Sequence, residues 1–157
     1  MTDSTDPQAL FLDDLTIGQT FESETYRVGE EQIKAFAREF DPQPFHLDDT
    51  AARNSVFSGL AASGWHTAAI TMRLITGIRP IFGSGVIGLG AEIAWPRPVR
   101  PDDVLRVVMK IAEIIPSRTR PDRGVVAMYC ETFNQRGEVV QTLKPKLVMY
   151  RRGALRT

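Results

Sequence analysis

Residues 64–75, GWHTAAITMRLI, restrict the fold more than any other stretch of the chain. Apolar side chains fall on nearly every side of a helical projection: Trp65, Ala68, Ala69, Ile70, Met72, Leu74 and Ile75. A helix apolar all round belongs inside a protein, so the rest of the chain must be able to enclose it. From Val86 onward the texture changes to β-branched or alternating runs at 86–94, 104–114, 124–133 and 139–151. Turn signals at 96–103, 116–123 and 134–137 separate them. In the second run Leu105, Val107, Met109 and Ile111 alternate with Arg106 and Lys110, which gives that strand one wet face. Pro145 has no N–H for a ladder and predicts an edge position or a bulge in the last run. The pattern implies an α+β fold, an antiparallel sheet of about five strands wrapped around a central buried helix. Such a sheet cannot cover that helix and both of its own faces, so dimerisation through a sheet edge is expected.

The half of the chain before this helix supplies the first strand and the helical cap. At 157 residues the sequence reads as one domain, 1–157, with a loose polar tail at 1–8. Residues 19–28 alternate around Phe21 and end in Tyr26 and Val28, predicting a single half-buried strand. Gly29 breaks it, and Glu30 and Glu31 place negative charge where a first helical turn would begin. Ile33, Phe36, Ala37 and Phe40 then recur at helical spacing, so 30–40 is an amphipathic helix ending at Asp41-Pro42. Asp48 caps a short helix over 48–54.

Between these helices lies the stretch with chemistry in it. Asp41 and His46 stand five residues apart in Asp41-Pro-Gln-Pro-Phe-His46. Pro42 and Pro44 each remove an N–H and push the preceding residue out of the α region, predicting a stiff, bent loop outside regular structure. Stiffness suits a catalytic pair, because a loosely held carboxylate and imidazole lose effective molarity. Ser63 is placed to cap the apolar helix, and the N–H of Gly64 sits at its positive dipole end. Acid, imidazole and helix N-terminus together suggest proton transfer beside a polarised oxygen. The residues alone leave a second reading open, in which Asp41 fixes a turn and His46 fills a polar gap. His66 reads as a hydrogen-bonded structural residue, and Trp65, Met72 and Phe57 as core or pocket lining.

Composition narrows the partners. Lys+Arg and Asp+Glu balance at 19 each, which gives no reason to expect nucleic acid or an anionic membrane. One cysteine, Cys130, and two histidines argue against disulfides and metal clusters. The acidic N-terminus is not a signal peptide and no apolar run has the length of a membrane span, so a cytoplasmic setting is expected.

The arrangement resembles the MaoC-like dehydratases, also called (R)-specific enoyl-CoA hydratases, which have the hotdog fold. The family motif Asp-x-Asn-Pro-x-His-x-Asp is met by Asp41, Gln43, Pro44, His46 and Asp48. Ala62-Ser63-Gly64-Trp65 resembles the family's small-residue entry to the central helix, and 95–103 its Pro-Val-x-Pro-Gly-Asp turn. The resemblance implies reversible addition of water to a trans-2-enoyl thioester of coenzyme A or an acyl carrier, with no further cofactor. It implies Asp41 and His46 as the catalytic pair, Gly64 as carbonyl donor, Ser63 and Gln43 as substrate-side residues, and a homodimer or larger homo-oligomer. Gln43 replaces the motif's asparagine but keeps the amide. Met72 stands where some members carry a serine that orients the pair. Two other functions fit the same fold: an acyl-CoA thioesterase and a non-catalytic acyl-thioester-binding subunit. Arg97, Arg100, Arg118, Arg120 and Arg123 are candidates for coenzyme A phosphates.

Overall fold

The computed structural model describes residues 7–80 and 82–154; the first six residues of the tail expected at 1–8 lie outside them. Four long strands form the frame: β3 (Ile87–Ala94), β4 (Val104–Pro116), β5 (Arg123–Phe133) and β6 (Val139–Tyr150). Two short pieces, β1 (Thr20–Glu22) and β2 (Tyr26–Arg27), both pair with β4, and the sheet order is β1-β4-β5-β6-β3. All pairings between these strands are antiparallel. This is the hotdog architecture: the sheet packs against helix α4 (Gly64–Gly77), with α1 (Glu30–Phe40), α2 (Pro44–Leu47) and α3 (Asp49–Arg53) placed before it in the chain.

Alternation decides which strand face meets the helix. Leu105, Val107, Met109 and Ile111 on β4 are fully buried, as are Val126 and Cys130 on β5. They pack with Ile70, Leu74 and Ile75 of α4 in one core cluster. Each such side chain contributes on the order of 1.5–3 kcal/mol when fully withdrawn from water.

Four local expectations need correction. The single strand expected at 19–28 is two pieces, separated at Ser23–Thr25. Ser23 donates its N–H to Val107 O at 2.9 Å, while its Oγ accepts the Val107 N–H at 2.8 Å. A hydroxyl stands in for the backbone carbonyl there, and the pairing register slips by one residue. Pro145 is not at an edge, because β6 lies between β5 and β3. The ladder to β5 instead lapses between Ala127↔Lys146 and Cys130↔Leu143, where the missing N–H would have fallen. Helix α1 buries Ile33 and Ala37, yet Phe40 ends 64% exposed. Finally, α4 is buried on one face only: Trp65 is 61% and Met72 43% exposed in the single chain. One sheet has one concave side, so the opposite face of the helix finds no cover within this chain.

Candidate active site

Helix α1 ends where Asp41 donates its N–H to Ala37 O at 3.0 Å and leaves helical geometry. The next residues do not stay irregular, as the two prolines had suggested. Pro44–Leu47 forms one helical turn, α2, with proline at its first position. Proline is compatible there because the first helical N–H has no intrahelical partner and φ is already set. His46 is thereby held on a helical turn, 4% exposed. Asp48 closes that turn and caps α3, its Oδ1 accepting the Ala51 N–H at 2.7 Å.

Both nitrogens of the His46 ring are engaged. Nδ1 lies 2.6 Å from Ala61 O; a carbonyl only accepts, so Nδ1 carries a proton and donates it. In the neutral ring Nε2 then offers a lone pair, and it faces Asp41 Oδ2 at 3.3 Å. Asp41 is itself positioned: its Oδ1 accepts the Gln43 side-chain N–H at 2.6 Å. Burial is the largest influence on its carboxyl and pushes the pKa up. Hydrogen bonding to Ser63 and Gln43, with a smaller contribution from His46 when its ring is protonated, outweighs it, and the pKa lies below the ordinary carboxylate value.

The loop ahead of α4 is fixed from the far side. Arg100 Nη1 donates to Gly59 O at 2.8 Å and Leu60 O at 3.2 Å, and Nη2 donates to Phe57 O. Ala62 adds an N–H bond to Val99 O at 2.9 Å. Arg100 thus spends its guanidinium on backbone carbonyls rather than facing solvent. Arg97 donates to Val139 O and pairs with Glu138.

Ser63 caps α4 with Oγ accepting the Trp65 N–H at 3.3 Å. The first four N–H groups of a helix have no intrahelical carbonyl, and that of Gly64 is among them. Trp95 explains why this position is a glycine: a Cβ on Gly64 would lie 2.6 Å from the indole ring.

These elements border a cleft of about 760 Å³. Gln43, His46 and Gly64 line it, with Phe45, Phe57, Thr67 and Trp95. Asp41 joins them through His46 and Ser63 through the helix cap, so the five residues singled out in the sequence converge here. His66 does not. Its ring stacks on Phe36 at 4.7 Å, and its Nδ1 is buried without a partner, contrary to the hydrogen-bonded role expected. Met72 points outward, while the adjacent Thr71 is buried. Sequence reading missed Arg100 as a loop clamp and Trp95 as the neighbour of Gly64.

Among the described residues no group of His, Cys, Asp and Glu is placed to hold a metal ion. None of their helices is long and apolar enough to cross a membrane.

The family model described as MaoC like domain matches residues 13–129. A crystal structure of a MaoC-like dehydratase from Rhodospirillum rubrum superimposes with a TM-score of 0.89 at 56% identity, covering 92% of this chain and 99% of that one. The uncharacterized protein YdeM of Bacillus subtilis is 34% identical over 128 residues, 80% of this chain and 88% of the relative. A 3-hydroxybutyryl-CoA dehydratase of Methylorubrum extorquens is 28% identical over 114 residues, 72% of this chain and 71% of the relative.

Proposed function

Since the chain belongs to the MaoC like domain family, we propose that it is an (R)-specific hydratase, adding water reversibly to the 2,3-double bond of a trans-2-enoyl thioester. The observation that carries this reading is the pair of acceptors at the cleft, Asp41 Oδ2 and His46 Nε2, 3.3 Å apart. A water seated to one side of them, within reach of both, donates one hydrogen to each and turns its oxygen lone pair outward. The oxygen attacks C3 as one member of the pair takes a water proton, and that same proton is passed on to C2, so that one water ends as OH on C3 and H on C2. Positioned acid–base catalysis of this kind is worth roughly 100- to 10,000-fold.

As the C–O bond forms, negative charge develops on the thioester oxygen. The Gly64 N–H, at the positive end of α4, receives it. One such donor is worth about 100- to 1,000-fold in other enzymes. Coenzyme A enters as part of the substrate, and the mechanism calls on no further cofactor. The dehydratase named among the relatives supports the same bond chemistry in reverse.

The protein acts as a homodimer. Strand β3 is an edge with Leu89 61% and Ile87 42% exposed, and α4 leaves Trp65 and Met72 uncovered. Pairing of two copies along β3 covers this apolar surface and removes the unpaired edge. Sedimentation should give twice the chain mass, and Leu89→Lys should shift it toward monomer.

The deciding experiment tracks enoyl absorbance of crotonyl-CoA with free thiol measured in parallel. Absorbance loss without thiol release, abolished in Asp41→Asn and His46→Ala, is the expected result, with the (R)-3-hydroxy product identified by chiral chromatography. Thiol release would make the protein a thioesterase. Neither signal from a folded dimer would leave only the binding-subunit reading.

A further inference from the structure

Trp95 lines the cleft, and a closed chain of polar groups is hydrogen-bonded to its indole. Trp95 directly succeeds β3, and its ring lies so close to Gly64 that no Cβ fits between them. Trp65 meets it edge-on at 5.3 Å between ring centroids. The indole N–H donates to Gln141 Oε1 at 2.9 Å. Because an indole N–H can only donate, this contact fixes the orientation of the Gln141 amide. Its Nε2 then donates to Thr71 Oγ1 at 3.0 Å, and Thr71 shares a 2.8 Å hydrogen bond with Thr132. Gln141 and Thr71 are fully buried and Thr132 nearly so.

On the hydratase reading, a long acyl group running from the cleft along α4 would meet this chain of polar groups. Thr67 lines the cleft on the buried face of α4, and Thr71 lies one turn further along the same face. An alkyl chain that passed Thr67 would meet Gln141, Thr71 and Thr132 with their polar groups paired to one another. Prising them apart to admit methylenes leaves buried donors and acceptors unsatisfied, which costs more than burial of one methylene returns.

We propose that Trp95, pinned by Gln141 and backed by Thr71 and Thr132, is the end wall of the acyl pocket and restricts the substrate to short acyl thioesters. This rests on the hydratase reading above. Trp95 acts by contact with the substrate; Gln141 and Thr71 act through Trp95 as positioning residues.

The test compares kcat/KM for crotonyl-CoA and trans-2-octenoyl-CoA in the wild type, Trp95→Ala, Trp95→Phe and Gln141→Ala. The wild type should favour crotonyl-CoA by about tenfold or more, the scale at which pockets discriminate by methylenes. Trp95→Ala should raise the octenoyl-to-crotonyl ratio by about tenfold, chiefly through a lower KM for octenoyl-CoA. Trp95→Phe keeps most of the bulk but loses the N–H, and should move the ratio less. Gln141 is buried and Gln141→Ala risks the fold; Trp95, partly exposed, carries the test without it. A ratio within one preparation does not depend on the folded fraction, so a merely structural role would leave it still. Equal use of both substrates by the wild type, or an unchanged ratio in Trp95→Ala, would overturn the inference while the hydratase reading stands. Hydration of neither substrate would remove both.

Discussion

His46 Nδ1 lies 2.6 Å from the carbonyl oxygen of Ala61, so a residue on the loop ahead of the central helix sets which nitrogen of the ring is left for chemistry. With the Nδ1 proton committed to Ala61, the neutral ring can only accept at Nε2, beside Asp41. Neither partner alone can hold both hydrogens of one water. His46→Ala and Asp41→Asn should therefore each lower kcat for crotonyl-CoA by roughly 100- to 10,000-fold. The double variant should lose little beyond the worse single one, because groups that act as a unit are not additive. Additive losses would show two independent roles.

Arg100 governs the same ring from further away. Its three carbonyl contacts fix residues 57–60, and Ala61 is the next residue in the chain. A lysine carries one ammonium in place of the planar fork and cannot reach all three. Arg100→Lys should lower kcat by up to about 100-fold, the cost of a misplacement near 1 Å, with KM little changed. A rise in KM with kcat intact would return Arg100 to the phosphate-binding role the sequence suggested.

How far the sequence could be read depended on how local the cause was. The four long strands and helices α1 and α4 arise from periodicity, and their ends fell within two residues of expectation. The convergence of Asp41, Gln43, His46, Ser63 and Gly64 on one cleft was signalled by two short motifs, at 41–48 and 62–65. What escaped was set by tertiary partners. Trp95 meets Gln141 from 46 residues away, and Arg100 reaches Phe57 across 43. Pro44 misled because a helix accepts proline at its first position, so a loop signal became a turn of helix. The face of α4 was misjudged because its apolar letters do not say which of them this chain covers.

Ser63 serves two ends at once, capping α4 and hydrogen bonding to Asp41. Ser63→Ala should cost about 1 kcal/mol at neutral pH, the usual value of a cap. Asp41 has a folded-state pKa below its unfolded value. Its contribution to stability is present above the unfolded value and is lost as pH falls through the folded one. The part of the Ser63→Ala penalty that passes through Asp41 should therefore vanish in acid, and the melting temperatures of variant and wild type should draw together as the pH falls below the ordinary carboxylate range.

His66 offers the opposite group with the same sign. Burial against Phe36 lowers its pKa from 6.5, so the folded protein resists its protonation. A base with a depressed folded pKa stabilises fully above its unfolded value, and that stability is lost as pH falls. His66→Phe keeps a ring against Phe36 and cannot titrate. The melting temperature of the wild type should drop more than that of His66→Phe between about pH 7 and about pH 5. His46 is common to both proteins and cancels from the comparison. Parallel curves would mean that His66 is solvated in solution.

Gly64 separates packing from chemistry, because a substitution there can keep the N–H while adding volume. In Gly64→Ala the new Cβ would fall 2.6–2.9 Å from three atoms of the Trp95 ring. The indole is tied to Gln141 and cannot swing away freely. Overpacking of this kind costs about 1–3 kcal/mol. It should also displace the start of α4, and with it the N–H proposed to meet the thioester oxygen. Gly64→Ala should thus lose both stability and kcat. Adding Trp95→Ala opens the space, and in the double variant the stability cost of the Gly64→Ala step should largely disappear, a coupling that a double-mutant cycle reads directly. If stability returns and kcat does not, the glycine is needed for approach of the substrate to the helix N-terminus. If both return, its only duty is to make room for Trp95.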